Sequence, residues 1–295
     1  MNKLFVLGAA ILLQSCTNVV DNTNTATLTN DDKKKLVAIT QSMPAEHQTR
    51  HVARHPVETL EFFGIKPGDT VVEALPGDGW YSKILVPYLG PKGRLIGADY
   101  SVQMWPEFGG WATPEFIAKR KAWPAEFSAN AKTWGGAEGA PAEAYTFADL
   151  PAELTGKVDA VLFIRALHNL ARFDAKGNYL KQALAETHRI LKPNGVVGIV
   201  QHALAEDKPD AWADGNRGYL KRSALISAMT AAGFIFVGES DINKNPKDDP
   251  QDNESVWRLP PNMSAEENKK ASAEQNEKYR AIGESNRVTL LFKKS

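Results

Sequence analysis

Val71-Val72-Glu73-Ala74-Leu75-Pro76-Gly77-Asp78-Gly79-Trp80-Tyr81-Ser82 decides the fold. A short apolar run gives way to a turn built on Gly77 and Gly79, and helical spacing follows over residues 81–89. Strand, turn and helix therefore succeed one another. Glycine lets the backbone bend sharply and lets a ligand approach it closely. The Glu73 carboxylate, at the end of the strand, accepts hydrogen bonds from an amine or a hydroxyl. Open α/β sheets bind ligands outside the carboxyl ends of their strands, where this turn falls.

Outward from that stretch the same alternation continues. Residues 70–74, 94–98, 160–164 and 196–200 read as strands, with helical periods at 81–89 and 180–191 between them. Apolar runs separated by helices indicate parallel βαβ units buried on both faces. A helix at 222–232, ended by Gly233, leads to a strand at 234–238, and the last strand is expected at 288–292. Upstream, residues 31–64 form a helical segment. One helix is capped by Asn30 or Asp31, and a second starts at Pro56, carries Leu60, Phe62 and Phe63 and ends at Gly64. Residues 65–295 form the main domain, with a polar insertion at about 241–287 whose stretch 264–287 reads as solvated.

Two cofactor classes compete for the turn. A dinucleotide fingerprint would be G-x-G-x-x-G, but the third glycine is Ser82, and Glu73 and Asp78 flank the turn. Negative charge beside a diphosphate is unfavourable, whereas beside the cationic sulfonium and amine of S-adenosylmethionine it is favourable. Charge therefore selects S-adenosylmethionine. Asp99, at the end of the second strand and followed by Tyr100, has the geometry to take both ribose hydroxyls. Asp149, followed by Leu150, can meet an adenine amino group or serve as an ordinary loop residue.

Glu73-x-x-Pro-Gly-x-Gly, the acidic end at Asp99, Asp159-Ala160-Val161-Leu162-Phe163 and Leu191-Lys192-Pro193-Asn194-Gly195 together resemble class I S-adenosylmethionine-dependent methyltransferases. More narrowly, His55-Pro56-Val57-Glu58-Thr59-Leu60-Glu61-Phe62-Phe63-Gly64 followed by Pro76-Gly77-Asp78-Gly79-Trp80-Tyr81-Ser82 is similar to a family of bacterial methyltransferases that are often exported. The resemblance spans roughly residues 52–293. It implies a Rossmann-like α/β fold: a seven-stranded, mostly parallel sheet with the last strand antiparallel and helices on both faces. It also implies a cofactor site of Glu73, Pro76, Gly77, Asp78, Gly79, Asp99, Tyr100, Asp149, Leu150 and Arg165. Leu75 departs from the pattern, standing where most of these enzymes have their first glycine, and it is expected to narrow the methionine pocket.

Methyl transfer from a sulfonium is an in-line displacement that depends on alignment, with a general base where the acceptor must lose a proton. The residues for it belong at the ends of the fourth and fifth strands. His168 and Asn169 follow the fourth and His202 the fifth, with either histidine a candidate base or a hydrogen-bonded structural residue. Arg165 is placed to hold an acidic group of the substrate. Trp105, Trp111, Trp123 and Trp134 read either as a substrate lid or as packing of helices on the sheet. His47, His51 and His55, spaced by four, invite a metal reading; Arg50, Arg54 and the lack of interleaved acids or cysteines oppose it, and no metal is expected.

The chain has 295 residues, 43% hydrophobic, which suffices for one large domain. Lys plus Arg and Asp plus Glu number 35 each, so the formal net charge is zero and nothing points to nucleic acid. The partner expected is a small-molecule acceptor. The single cysteine excludes an intrachain disulfide. It follows Met1-Asn2-Lys3, an apolar run at 4–13 and Leu13-Gln14-Ser15. That run is shorter than the ~20 residues needed to span a membrane, and it fits a secretory signal. Leu-x-Ser-Cys resembles the bacterial lipoprotein ending, so residues 1–15 read as a signal peptide, Cys16 as the lipidation site and 16–30 as a tether. The expectation is an exported protein held by its lipid to a membrane facing the periplasm, the alternative a cytoplasmic enzyme. Because S-adenosylmethionine is made inside the cell, a non-catalytic exported binding protein of the same fold is the second functional expectation.

Overall fold

The computed structural model describes residues 28–252, 254–264 and 271–295. Cys16, the signal segment and the tether through residue 27 lie outside them.

The strands are β1 (Thr70–Ala74), β2 (Arg94–Asp99), β3 (Ala142–Thr146), β4 (Val158–Ile164), β5 (Leu191–Leu204), β6 (Leu220–Lys221), β7 (Phe234–Ser240) and β8 (Arg287–Lys294). The main sheet runs β3-β2-β1-β4-β5-β8-β7, with the short β6 pairing off this path with β5. β1 lies in parallel between β2 and β4. β8 is antiparallel to both of its neighbours, β5 and β7. The sheet is therefore the seven-stranded, mostly parallel one expected, with the last strand reversed.

Alternation along the strands builds two cores. Val72, Ile96, Val161 and Leu290 face one side, and Val71, Leu95, Leu162 and Leu291 the other. Helices Leu167–Arg172, Tyr179–Ile190 and Arg222–Ala231 bury Leu170, Leu184 and Leu225 against the first face. Helices Pro56–Phe62, Ser82–Leu89 and Pro114–Gly135 bury Leu60, Ile84 and Phe127 against the second. Each such side chain contributes about 1.5–3 kcal/mol. The strands cannot alternate in polarity because both faces are covered, which is why they read as continuous apolar runs.

Three differences from expectation stand out. β3, an edge strand, was not anticipated, since Ala142-Glu143-Ala144-Tyr145-Thr146 buries only part of its length. Residues 114–135 form one 22-residue helix despite Pro124 inside it; Thr113 caps its start, and Pro114 suits its first turn. The stretch 264–287 is not wholly solvated. Helix Ala273–Ile282 buries Tyr279, and Ser285 and Arg287 turn inward, since Glu284 meets the arginines of the N-terminal segment.

Candidate functional site

β1 ends in a turn whose residues 75, 77 and 79 all have positive φ, of 53°, 59° and 72°. For Leu75, which is half-buried, this left-handed backbone costs about 1–2 kcal/mol. The conformation of a glycine is thus kept where a leucine stands, held by the Leu75 N–H donating to the Ala98 carbonyl at 2.8 Å. The two glycines differ in purpose. A Cβ on Gly79 would come within 2.7 Å of the Trp134 ring, so its lack of a side chain serves packing. A Cβ on Gly77 would meet nothing within 4 Å, so this part of the turn stands open. Pro76 is buried beside it and Asp78 is exposed.

Glu73 is buried and accepts a hydrogen bond from the Ser82 hydroxyl at 2.5 Å. Burial pushes its carboxyl up to about 7, against the opposing pull of Ser82 and Arg165. Asp99, one strand along, is also buried. It accepts the Tyr100 N–H at 2.8 Å and the Arg120 Nε at 2.9 Å, with Arg120 Nη2 on the same oxygen. Burial raises the Asp99 carboxyl and Arg120 opposes it. The Arg120 guanidinium is stacked between Trp105 and Trp123, 5.1 Å from each ring. Sequence reasoning missed Arg120, because only the long helix brings it back to the strand end.

Tyr100 is buried against Trp105 and donates its hydroxyl to the Ala166 carbonyl at 3.3 Å. The Phe147 N–H donates to the Asp99 carbonyl at 2.9 Å, which brings the end of β3 to that of β2. Asp149 is exposed there, accepting the Thr146 hydroxyl at 2.7 Å, and Leu150 is buried behind it. Trp123 packs where a Cβ on Gly97 would lie within 2.9 Å, and Trp134 does the same at Gly79. Of the four tryptophans only Trp111 is largely exposed, at 55%, although its ring still touches Trp105, Phe108 and Phe116. The packing reading of the other three is the one their contacts support.

Arg165, the first residue after β4, has φ 58°, so backbone strain recurs at the next strand end beside Leu75. His168 and His202, from neighbouring strand ends, come within 5.6 Å, centroid to centroid. Gln201 lies 3.4 Å from His168 Nδ1, and Ser285 lies 2.5 Å from His202 Nδ1. Burial pulls His168 down to about 4 and His202 well below its usual range, with Arg165 reinforcing both. Both rings are neutral at neutral pH. A base of that strength takes protons weakly, so these rings suit orientation of a hydrogen-bonding group better than proton abstraction. Asn169 is half-buried on the same helix, its Oδ1 without a partner.

His47, His51 and His55 do not share one helix. Ala45–Gln48 and His51–Arg54 are separate turns, and His55, at φ 41°, breaks the chain before Pro56. His47 and His51 instead flank the Trp80 ring, at 6.1 and 5.8 Å. Among the described residues no group of three metal-ligating side chains forms.

No protein-family model matches the sequence, and no curated protein matches it. Solved structures do resemble it in fold. A SAM-dependent methyltransferase from Aquifex aeolicus is 19% identical, over 72% of this chain and 93% of its own, with a TM-score of 0.45. The arsenic(III) S-adenosylmethionine methyltransferase CrArsM from Chlamydomonas reinhardtii is 14% identical over 88% and 72%, with a TM-score of 0.47. The 4+2 cyclase SpnF is 15% identical over 82% and 80%, with a TM-score of 0.45. Likenesses this distant concern the fold, and they assign no reaction to this chain.

Proposed function

We propose that the chain binds S-adenosylmethionine and transfers its methyl group to a small-molecule acceptor. The observation that carries this reading is the β1 turn, left-handed at 75, 77 and 79 and open at Gly77, with buried carboxylates at the ends of β1 and β2. Two acids and an open backbone suit a ligand with an amine, a sulfonium and a ribose. Glu73 would receive the amine, Gly77 and Asp78 the chain beside it, Asp99 the ribose, and Tyr100, Asp149 and Leu150 the adenine side. The cofactor supplies an activated methyl group, and the protein's part is alignment. Asn169, His168 and His202 would orient the acceptor.

Arg120 already occupies Asp99, so ribose binding exchanges a guanidinium for two hydroxyls. Isothermal titration with S-adenosylhomocysteine tests the reading: binding is expected, with a loss of tenfold or more in Asp99→Ala. No heat on folded protein would remove the enzyme reading, and unchanged affinity in Asp99→Ala the ribose assignment.

Leu75 favours a second reading, that of a binding protein which keeps the fold without turnover, since its side chain stands in the glycine position of the turn. S-adenosylhomocysteine binding without methyl transfer to any of a panel of acceptors would select it. The Leu-x-Ser-Cys ending supports lipid attachment at Cys16 and export to a periplasm-facing membrane. Continued membrane association of Cys16→Ser would count against this placement.

A further inference from the structure

Four arginines meet one glutamate where the N-terminal helices cross the ends of β4 and β8. Glu284 Oε1 accepts Arg50 Nε at 2.8 Å, and Arg54 Nε lies 3.4 Å from both of its oxygens. Arg287 Nη1 lies 3.2 Å from Glu284 Oε2. Arg165 adds a fourth guanidinium within electrostatic reach, and it makes no side-chain hydrogen bond or ion pair among the described residues. Glu284 is the one carboxylate bonded to these arginines among the described residues, with Glu73 and Asp248 acting on Arg165 and Arg287 at longer range, so positive charge is in excess.

The cluster is not on the surface. The side chains of Arg54 and Arg287 are each 3% exposed. Buried donors there lack acceptors, namely Arg54 Nη1, Arg165 Nε and the Trp80 indole N–H. Arg54 lies over the Trp80 ring at 4.5 Å, which ties the cluster to the residue after Gly79. Burial and mutual repulsion push Arg54 down to about 9 and Arg165 to about 10, yet guanidinium keeps its proton at neutral pH. Buried cations without partners are costly, and buried N–H groups normally find acceptors. An anion bound among them answers both demands, and guanidinium forks match carboxylate and phosphate oxygens.

We infer that Arg54 and Arg165, with Arg50 and Arg287 behind them, form a binding site for a small anion carrying at least two negative charges, a phosphoryl or dicarboxylate group of the methyl acceptor. S-adenosylmethionine is an unsuitable occupant, because its single carboxylate is outweighed by an ammonium and a sulfonium. As an acceptor site the cluster rests on the proposed methyl transfer; as an anion site it does not.

Titration of the full chain at low ionic strength with inorganic phosphate, and separately with malonate, tests this. The expected result is saturable binding of at least one, weakened tenfold or more in Arg165→Gln. Which anion binds names the group. Should Arg165→Gln fail to fold, the parent saturated with S-adenosylhomocysteine is expected to bind the anion undiminished. Equal anion binding in Arg165→Gln, or no saturable binding of either anion, overturns the inference. Displacement of S-adenosylhomocysteine by phosphate also overturns it, assigning the cluster to the cofactor's carboxylate. Anion binding without any S-adenosylhomocysteine binding removes the methyl-transfer reading and leaves the anion site standing.

Discussion

The ends of β1 and β2 and, along the same edge of the sheet, the ends of β4 and β5 with the start of β8 are opposite in electrical state. On the first side each buried acid has a partner, Ser82 for Glu73 and Arg120 for Asp99. On the second side Arg50, Arg54 and Arg287 share the carboxylate of Glu284, and Arg165 lies within its electrostatic reach without a bond to it. A ligand arriving on the first side must exchange bonds already made. A ligand arriving on the second completes bonds not yet made. The same sheet thus presents one half that discriminates through competition and another that attracts through imbalance.

The contrast breaks most readily at Glu284. Glu284→Gln leaves the cluster without a bonded acid, and removing one partner of a buried pair costs about 3–5 kcal/mol. Urea unfolding is expected to show a loss of that size, partly restored by millimolar phosphate. A loss under about 1 kcal/mol, unaffected by phosphate, would mean that the cluster is already balanced.

Glu73 is the next test. Its folded-state carboxyl is raised from 4.5 to about 7, so between those values the native chain holds a proton that the unfolded chain has released. Stability therefore falls as pH rises through that window, by about 3 kcal/mol in all, at 1.36 kcal/mol per pH unit. Glu73→Gln is expected to lack this fall, so its advantage over the parent grows between pH 5 and pH 7.5 in urea titrations. His168, pulled down to about 4, acts in the opposite sense in both proteins and cancels in the difference. Parallel pH profiles for the two would place Glu73 in water rather than in the core.

Leu75→Gly is the smallest expected effect. Relief of the left-handed strain offsets the lost contacts of a half-buried side chain, so the net change is within about 1 kcal/mol. A tighter S-adenosylhomocysteine complex in this variant would show that the leucine narrows the pocket.

The sheet was legible because its physics is local. A strand covered on both faces reads as an apolar run, and β1, β2, β4, β5 and β8 each contain one, as does the edge strand β7 over 234–237, although Ile235 there is exposed. β3 shows the pattern weakly, at an edge, and the helix Pro114–Gly135 hides behind two prolines. The acids at positions 73 and 99 were legible because strand ends are. Their partners were not: Arg120 reaches Asp99 across 21 residues, and Arg54 reaches Glu284 across 230. No spacing rule spans such distances. The polar composition of 264–287 pointed to solvent, although Glu284, Ser285 and Arg287 serve the interior. Charge alone does not tell a solvated residue from one paired across the fold.

That 230-residue reach sets an order of events during synthesis. Arg287 Nη2 donates to the Ala53 carbonyl at 2.6 Å, and Asn243 joins Thr59 to Thr289, so segments made first and last are sewn together at several points. A nascent chain that has β1 through β4 already holds the turn, both strand-end acids and three of the four arginines. It lacks the carboxylate that keeps those arginines from repelling one another. The early helices can pack on β1 and helix Ser82–Leu89 before then, but the anion site is complete only once the final strand has left the ribosome.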